Sequence, residues 1–94
     1  MKILVYYDII NDKTRTILIK LLFRKGFQRI QRSVFLGELK NIDLPEFLED
    51  AQRIINFEED SLYIVNLCEK DFNKSDFVGK YINKNFMNEY VYIF

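Results

Sequence analysis

The chain has 94 residues, a formal net charge of zero at pH 7, and 49% hydrophobic residues that include nine Phe and six Tyr. A chain this short forms one domain and buries only about two-thirds of its unfolded surface, so this apolar composition predicts an oligomer. The one cysteine, Cys68, excludes an internal disulfide and a zinc cluster within one chain, and we expect a small core residue. No apolar run approaches the roughly 18 residues of a membrane span and no signal peptide precedes the first strand, so the sequence predicts a cytoplasmic protein outside the membrane.

Charge is divided unevenly along the chain. Residues 1–40 contain nine Lys and Arg against three Asp and Glu, a net charge of +6, and residues 41–94 carry the compensating −6. The first half is therefore the half that would meet a polyanion, although a solvated surface of mixed charge explains the pattern equally well. The chain has no histidine, the commonest general base, so a hydrolase with this sequence would use a metal-bound water as its nucleophile.

Residues 3–10 form the apolar run around which the rest of the chain is organised. The run is closed by Asn11 and Asp12 and predicts a central strand that is buried on both faces. Asp8 lies inside it, where a charge is costly to bury unless it is paired, hydrogen-bonded or bound to a metal. A ligand or catalytic role for Asp8 competes with a simpler one, in which its side chain bonds the backbone of the following turn.

A segment whose apolar residues recur at helical spacing follows this strand. Asp12 is a good N-cap for a helix over residues 13–25, and Gly26 suits a left-handed C-terminal cap. The predicted buried face of this helix consists of Thr14, Ile17, Leu18, Leu21 and Leu22.

Residues 27–39 are predicted to be extended, as one long kinked strand or as two strands joined near residues 31–33. We favour two strands, with Gly37 at a bulge or bend. Asp43 then caps a second helix, with Pro45 in the first turn and Glu46 placed for a capping box. The apolar stripe of this helix is Leu44, Phe47, Leu48, Ala51, Ile54 and Ile55.

The remaining segments complete the predicted order of elements. Residues 61–67 indicate a strand, residues 69–80 a loop with a short helical turn, and residues 88–94 a final strand. The order β-α-β-β-α-β with an added C-terminal strand predicts an α+β, ferredoxin-like sandwich. This fold hosts many functions, so it does not by itself indicate an activity.

Several of these segments together resemble a known family. The segments are residues 5–9 (Val-Tyr-Tyr-Asp-Ile), the charged residues 12–15, the helix end at 24–27, and residues 29–37 (Arg-Ile-Gln-Arg-Ser-Val-Phe-Leu-Gly). They resemble CRISPR-associated protein two, a small nuclease-like protein that accompanies the CRISPR integrase in spacer acquisition. Residues 59–64 resemble the later acidic turn and strand of that family, so the resemblance covers residues 1–67.

The resemblance implies a ferredoxin-like homodimer in which Asp8 approaches its symmetry mate. In the family this pair holds a divalent ion, usually Mg²⁺ and possibly Mn²⁺, at the centre of nuclease activity on RNA or double-stranded DNA. Two carboxylates that face each other across a two-fold axis repel unless they are protonated or bridged by a cation, and hard oxygen ligands suit Mg²⁺. Asp8 is thus the expected catalytic residue and metal ligand of an endonuclease.

One departure from the family pattern leaves other functions open. Members often carry a run of arginines after the aspartate, whereas here Thr14 and Thr16 flank Arg15, which implies fewer phosphate contacts. Nuclease activity is not uniform across the family. The alternatives are a non-catalytic, dimeric DNA-binding adaptor that bridges integrase subunits, and a related ferredoxin-like toxin that cleaves messenger RNA.

Six further residues are candidates for nucleic-acid binding. Because Lys13, Arg15, Arg29 and Arg32 lie in the basic half, we expect some of them to contact phosphates without reading sequence, the alternative being ordinary surface side chains. By the family resemblance, Ser33 could bond a phosphate or orient Asp8, and Phe35 could contact the nucleic acid. A satisfied strand hydroxyl and a core ring are the alternatives, and we favour the core ring for Phe35.

The C-terminal strand is apolar on both faces, which is unfavourable at a free chain end. Within a single domain over residues 1–94, we therefore predict that residues 86–94 are exchanged between subunits and complete the sheet of the partner.

Overall fold

The computed structural model describes residues 1–76 and residue 78. In chain order these residues form β1 (Lys2–Asp8), α1 (Asp12–Arg24), β2 (Gln28–Gln31), β3 (Val34–Glu38), a 3₁₀ turn (Asn41–Asp43), α2 (Leu44–Ile54), β4 (Ser61–Leu67) and α3 (Glu69–Asn73). Within this part of the chain the strands form one sheet in the order β2-β3-β1-β4, with every neighbouring pair antiparallel. The predicted α+β class is confirmed. No helix of the described residues is long and apolar enough to cross a membrane.

Strand β1 is central, as predicted, because it pairs with β3 on one side and β4 on the other. Its side chains alternate: Ile3, Val5 and Tyr7 are buried against residues of α1 and α2, whereas Tyr6 and Asp8 are exposed on the opposite side. The prediction of a strand buried on both faces is therefore wrong for this chain, since α1 and α2 cover only one face of the sheet.

Among residues 1–76, the side of the sheet that faces away from α1 and α2 is covered only at one end. There Phe72 of α3 packs with Ile30 and Leu36, and the Lys2 Nζ atom lies 5.1 Å from the centroid of the Phe72 ring. The uncovered remainder comprises Tyr6, Asp8, Ser61, Tyr63 and Val65, which we call the open face. The Tyr6 and Tyr63 rings stack on it with centroids 5.6 Å apart.

Helix α1 lies within one residue of its predicted bounds, but Asn11 caps it in place of Asp12. The Asn11 Oδ1 atom accepts a hydrogen bond from the Thr14 N–H at 3.0 Å, while the Asp12 carboxylate forms an ion pair with Arg15. Gly26 has a φ of +86°, which confirms the predicted left-handed cap. The predicted buried face was too wide, because Ile17 is half exposed.

Residues 27–39 form the two strands that we favoured, joined by a turn at Arg32 and Ser33. Gly37 does not mark a bulge, since it pairs in register with Ile3 and the irregularity in β2 lies between Arg29 and Gln31. A glycine is required there for a different reason: a Cβ atom on Gly37 would lie only 2.6 Å from the Phe27 ring.

Three other local predictions differ in outcome. Strand β4 has its predicted bounds. Asp43 precedes α2 but makes no capping hydrogen bond with its side chain, because its backbone is already helical rather than extended, so the capping-box prediction is wrong. Cys68 is exposed rather than in the core, and its Sγ atom accepts the Asp71 N–H at 3.3 Å as the N-cap of α3.

The predicted tail strand over 88–94, and its exchange as residues 86–94, lie outside the described residues.

The contact between Gly37 and Phe27 predicts that Gly37→Ala destabilises the fold by about 1–3 kcal/mol, the usual cost of overpacking a core. Urea denaturation followed by circular dichroism would measure the loss. Gly26→Ala is the matched control, because nothing lies within 4 Å of its added Cβ and only a conformational cost of about 1–2 kcal/mol applies. We expect the effects of Gly37→Ala and Phe27→Leu to be non-additive, and additive effects would contradict the contact.

Candidate active site and nucleic-acid cleft

A cleft of about 550 Å³ lies where β1 ends beside the turn between β2 and β3. The pairing of β1 with β3 creates it, because Tyr6 lies opposite Val34 and the Tyr7 N–H then donates to the Ser33 carbonyl at 3.1 Å. The residues that follow β1 and the turn that precedes β3 are thereby brought side by side. The cleft is lined by Tyr7, Asp8, Ile9, Arg15, Arg29, Arg32 and Ser33.

Asp8 is the last residue of β1 and pairs with Ser61 of β4. Its side chain is exposed, and among the described residues its carboxylate makes no hydrogen bond or ion pair. The simpler role, in which the carboxylate bonds the following turn, is not observed because Asn11 caps α1 there. The Asp8 carboxylate is therefore available to a ligand.

Arg15 holds the segment that joins Asp8 to α1. Its Nη1 atom donates to the Ile9 carbonyl at 2.8 Å, and its Nη2 atom pairs with the Asp12 carboxylate. The guanidinium thus connects the residue after Asp8 to the first turn of α1, which fixes the path of the backbone at the edge of the cleft.

A second set of contacts converges on the carbonyl oxygen of Arg32. This oxygen accepts the Tyr7 hydroxyl at 2.9 Å, the Arg29 Nε at 3.1 Å and the Arg29 Nη2 at 2.7 Å. The Arg29 guanidinium carbon also lies 5.7 Å from the centroid of the Phe35 ring. These contacts fix the β2–β3 turn relative to the end of β1.

Tyr7 is a site residue that the sequence analysis missed. Its ring is 1% exposed in the core while its hydroxyl reaches the cleft, and burial raises the pKa of this phenol although Arg29 and Arg15 lower it by less. The phenol therefore stays neutral and remains a hydrogen-bond donor to high pH. The available signal was a lone hydroxyl at a core-facing position of an apolar strand, which must find a partner when it is buried.

The other candidate residues fall into three groups. Arg32 is exposed at the cleft, with no hydrogen bond or ion pair to its guanidinium in the described part of the chain, and Ser33 is half-buried beside it. Lys13 is exposed on α1 but does not line the cleft. Phe35 is 0% exposed and contacts the Tyr7 and Phe23 rings, so it is a core residue and does not contact nucleic acid in this conformation.

The charges of the cleft favour an anionic ligand. Three arginines and one carboxylate line it, so its net charge among the described residues is positive, and planar guanidinium groups match phosphate oxygens. The described residues contain no group of three or more His, Cys, Asp or Glu that could hold a metal ion. The described residues of one chain therefore offer a single carboxylate, Asp8, to a cation in this cleft, and further ligands would have to come from elsewhere.

Comparison with known proteins assigns the family. Residues 1–75 match the model of the family described as CRISPR associated protein Cas2. The chain belongs to the Cas2 family. This confirms the resemblance found in the sequence.

Two curated Cas2 relatives cover most of the chain. The chain is 37% identical over 67 residues to the CRISPR-associated endoribonuclease Cas2 1 of Archaeoglobus fulgidus, which covers 71% of this chain and 71% of the relative. It is 33% identical over 75 residues to the CRISPR-associated endoribonuclease Cas2 of Desulforudis audaxviator, which covers 80% of this chain and 71% of the relative. Both are named as endoribonucleases.

Two solved structures share the fold. The crystal structure of Streptococcus pyogenes Cas2 matches with a TM-score of 0.73 and 25% identity, over 84% of this chain and all of that one. A hypothetical protein from Thermus thermophilus matches with a TM-score of 0.67 and 33% identity, over 71% of this chain and 80% of that one. Both matches cover most of this chain and most of the solved chain.

The raised pKa of Tyr7 predicts how stability depends on pH. Above about pH 10 the unfolded chain loses the Tyr7 proton before the folded chain does, so the contribution of Tyr7 is complete below pH 10 and is lost as the pH rises further. We expect the free energy of unfolding of the wild type to fall toward that of Tyr7→Phe as the pH rises above about 10. Urea denaturation of both proteins at several pH values measures this, and a constant difference would contradict it.

Proposed function

We propose that this chain is a CRISPR-associated, metal-dependent endonuclease that hydrolyses phosphodiester bonds in RNA or double-stranded DNA, works as a homodimer, and takes part in spacer acquisition with the CRISPR integrase. The observation that carries the proposal is the exposed Asp8 carboxylate, which has no partner among the described residues, in a cleft that three arginines also line. Membership of the Cas2 family and the names of the endoribonuclease relatives support it.

The residues of the cleft suit phosphodiester hydrolysis. In this reaction a water oxygen bonds to phosphorus while the bond from phosphorus to the leaving oxygen breaks, and negative charge builds up on the phosphate oxygens. The positive charge of the arginines attracts that phosphate, and Asp8 is the carboxylate that lines the same cleft. The chain has no histidine to take the proton of the water.

A divalent metal ion completes this chemistry in our proposal, with Mg²⁺ as the expected ion and Mn²⁺ as a substitute. When bound, such an ion lowers the pKa of a bound water and offsets charge on the phosphate. One Asp8 is a poor site alone, but Asp8 of the partner subunit would supply a second carboxylate. The exposed, unpaired state of Asp8 fits that shared role.

The open face supports the homodimer. Tyr6, Tyr63 and Val65 are 42%, 55% and 43% exposed there, and a contiguous apolar patch of this kind is typical of an interface. Asp8 projects from the same face of β1 as Tyr6, so packing two copies by their open faces about a two-fold axis would bring the two Asp8 residues toward each other.

The order of the strands supports the rest of the proposed architecture. The β-α-β-β-α-β order with the sheet order β2-β3-β1-β4 is that of a ferredoxin-like sandwich. Within the described residues β4 is an edge strand, so its free backbone groups could pair with another strand. We propose residues 86–94 of the partner subunit as that strand.

A non-catalytic, DNA-binding adaptor that bridges integrase subunits is the second candidate function. The observation in its favour is that the described residues of one chain include three arginines in the cleft but only one of the two carboxylates that a shared metal site needs. Binding of double-stranded DNA with no cleavage under any metal condition would favour this function over the first.

Replacement of Asp8 tests the nuclease directly. We expect Asp8→Ala and Asp8→Asn to lower Mg²⁺-dependent cleavage of RNA or duplex DNA by about 100-fold or more, the size typical of losing a group at the reacting atoms. Because Asp8 is exposed, the fold and nucleic-acid binding should persist. The control is Asp43→Asn, an exposed aspartate with no side-chain cap bond, which should cleave at the wild-type rate. Wild-type activity in the Asp8 variants would identify a contaminating nuclease or another site.

A charge on the open face tests the dimer. We expect Val65→Asp to give a folded monomer in sedimentation velocity, because a carboxylate in the packed interface would be buried without a partner. Ile42→Asp is the matched control, since Ile42 is 83% exposed on the 3₁₀ turn away from the open face. A Val65→Asp protein that remains dimeric would place the interface elsewhere.

A further inference from the structure

The three arginines of the cleft differ in what their guanidinium groups already bind. Arg15 donates to the Ile9 carbonyl and pairs with Asp12, and Arg29 makes two hydrogen bonds to the Arg32 carbonyl. The guanidinium of Arg32 has no such partner in the part of the chain that the structure describes. The three arginines therefore carry the same charge but make different interactions.

We infer that Arg32 is the residue that contacts a phosphate of the nucleic acid, and that Arg15, Arg29 and Tyr7 are positioning residues for the two backbone segments that line the cleft. This division deepens the proposed function and rests on it. It assigns the recognition of a phosphodiester backbone, without reading of bases, to one side chain per subunit in this cleft.

Arg29 cannot turn the Nε and Nη2 edge of its guanidinium to a phosphate without undoing the turn. Two of its donors already bind one carbonyl oxygen, at 3.1 Å and 2.7 Å, and its guanidinium lies against the ring of Phe35, which is fully buried. Moving it would leave the Arg32 carbonyl with the Tyr7 hydroxyl alone and would uncover Phe35. The positive charge of Arg29 still attracts a polyanion, but the Nε and Nη2 donors of its guanidinium serve the protein.

Tyr7 acts with Arg29 from a different strand. Its N–H donates to the Ser33 carbonyl at 3.1 Å and its hydroxyl to the Arg32 carbonyl at 2.9 Å, so β1 holds both carbonyls of the turn. Arg15 has the equivalent role on the other side, where the Ile9 carbonyl follows Asp8 by one residue. Together these contacts set the position of Asp8 relative to Ser33 and Arg32.

Arg32 has the properties of a phosphate ligand. It lies at the tip of a turn whose backbone is fixed by three donors, its side chain is exposed, and its planar fork of N–H groups matches two phosphate oxygens. An exposed side chain on a turn whose backbone is held by hydrogen bonds can take up a ligand without a change in the backbone.

The salt dependence of binding separates the two roles. The logarithm of the affinity for single-stranded RNA or duplex DNA falls linearly with the logarithm of salt concentration. The magnitude of this slope decreases by about 0.7 to 0.9 for each phosphate contact that is removed. We would measure it for the full chain in EDTA, so that cleavage does not interfere. Arg32→Gln should reduce the magnitude of the slope by the amount expected for one phosphate contact. Arg29→Gln and Arg15→Gln make the same chemical change and should leave the slope unchanged. Arg53→Gln on α2, away from the cleft, is the control.

The positioning role needs a separate readout. Tyr7→Phe keeps the buried ring and removes only the donor to the Arg32 carbonyl, so it should fold. We expect faster hydrogen exchange in a peptide over residues 31–34, a lower kcat with little change in KM, and an unchanged salt slope.

Arg32→Lys should restore most of the slope lost in Arg32→Gln, since the charge returns.

Each outcome bears on one of the two proposals. A slope that falls as much in Arg29→Gln as in Arg32→Gln, or that does not fall in Arg32→Gln, would overturn the division of roles. Wild-type protein that binds nucleic acid but never cleaves it refutes the nuclease, while the slopes still decide the role of Arg32. Wild-type protein that binds neither RNA nor duplex DNA refutes both.

Discussion

The antiparallel pairing of β1 with β3 is the constraint on which the site depends. It sets Tyr6 opposite Val34 and brings the Tyr7 N–H to the Ser33 carbonyl, so the end of β1 and the β2–β3 turn share one cleft. Because side chains alternate along a strand, a slip of one residue would exchange the environments of Tyr7 and Asp8. The aspartate would then enter the core and the tyrosine would face solvent, with a large loss of stability. The register that builds the core therefore also builds the site.

Adjacent residues of β1 consequently have opposite tasks. Tyr7 is packed against Phe35 and fixes a carbonyl of the turn, while Asp8 lies exposed at the cleft, one peptide bond away. A functional carboxylate needs a fixed backbone but a free side chain, and this arrangement provides both. The same logic applies to the turn, where the carbonyl of Arg32 is held by three donors and its side chain is left exposed.

The sequence was sufficient to predict the features that local patterns determine, namely element bounds and the position of Asp8. The apolar periodicity gave β4 its bounds and α1 to within one residue, and Asp8 was found because a charge inside an apolar run is a local conflict. Burial was predicted less well, since periodicity shows which side chains are apolar but not which face another element covers. The exposure of Cys68 and the open face are examples. The bond from Tyr7 to Arg32 joins residues 25 apart, and only the register of the sheet brings them together.

Arg15 and Arg29 make their hydrogen bonds and ion pair with groups other than Asp8, and among the described residues Arg32 forms no ion pair with Asp8 either. A carboxylate among three arginines would ordinarily form an ion pair, and a paired carboxylate could bind neither a cation nor a water. Here two donors of Arg15 serve the Ile9 carbonyl and Asp12, and two of Arg29 serve the Arg32 carbonyl, so both groups keep their charge while part of their hydrogen-bonding capacity is used within the protein. The cleft can thus attract a phosphate through its net positive charge and keep Asp8 free beside it. Groups held this way need little reorganisation when a ligand arrives, which is the condition under which electrostatic stabilisation of a developing charge is most effective.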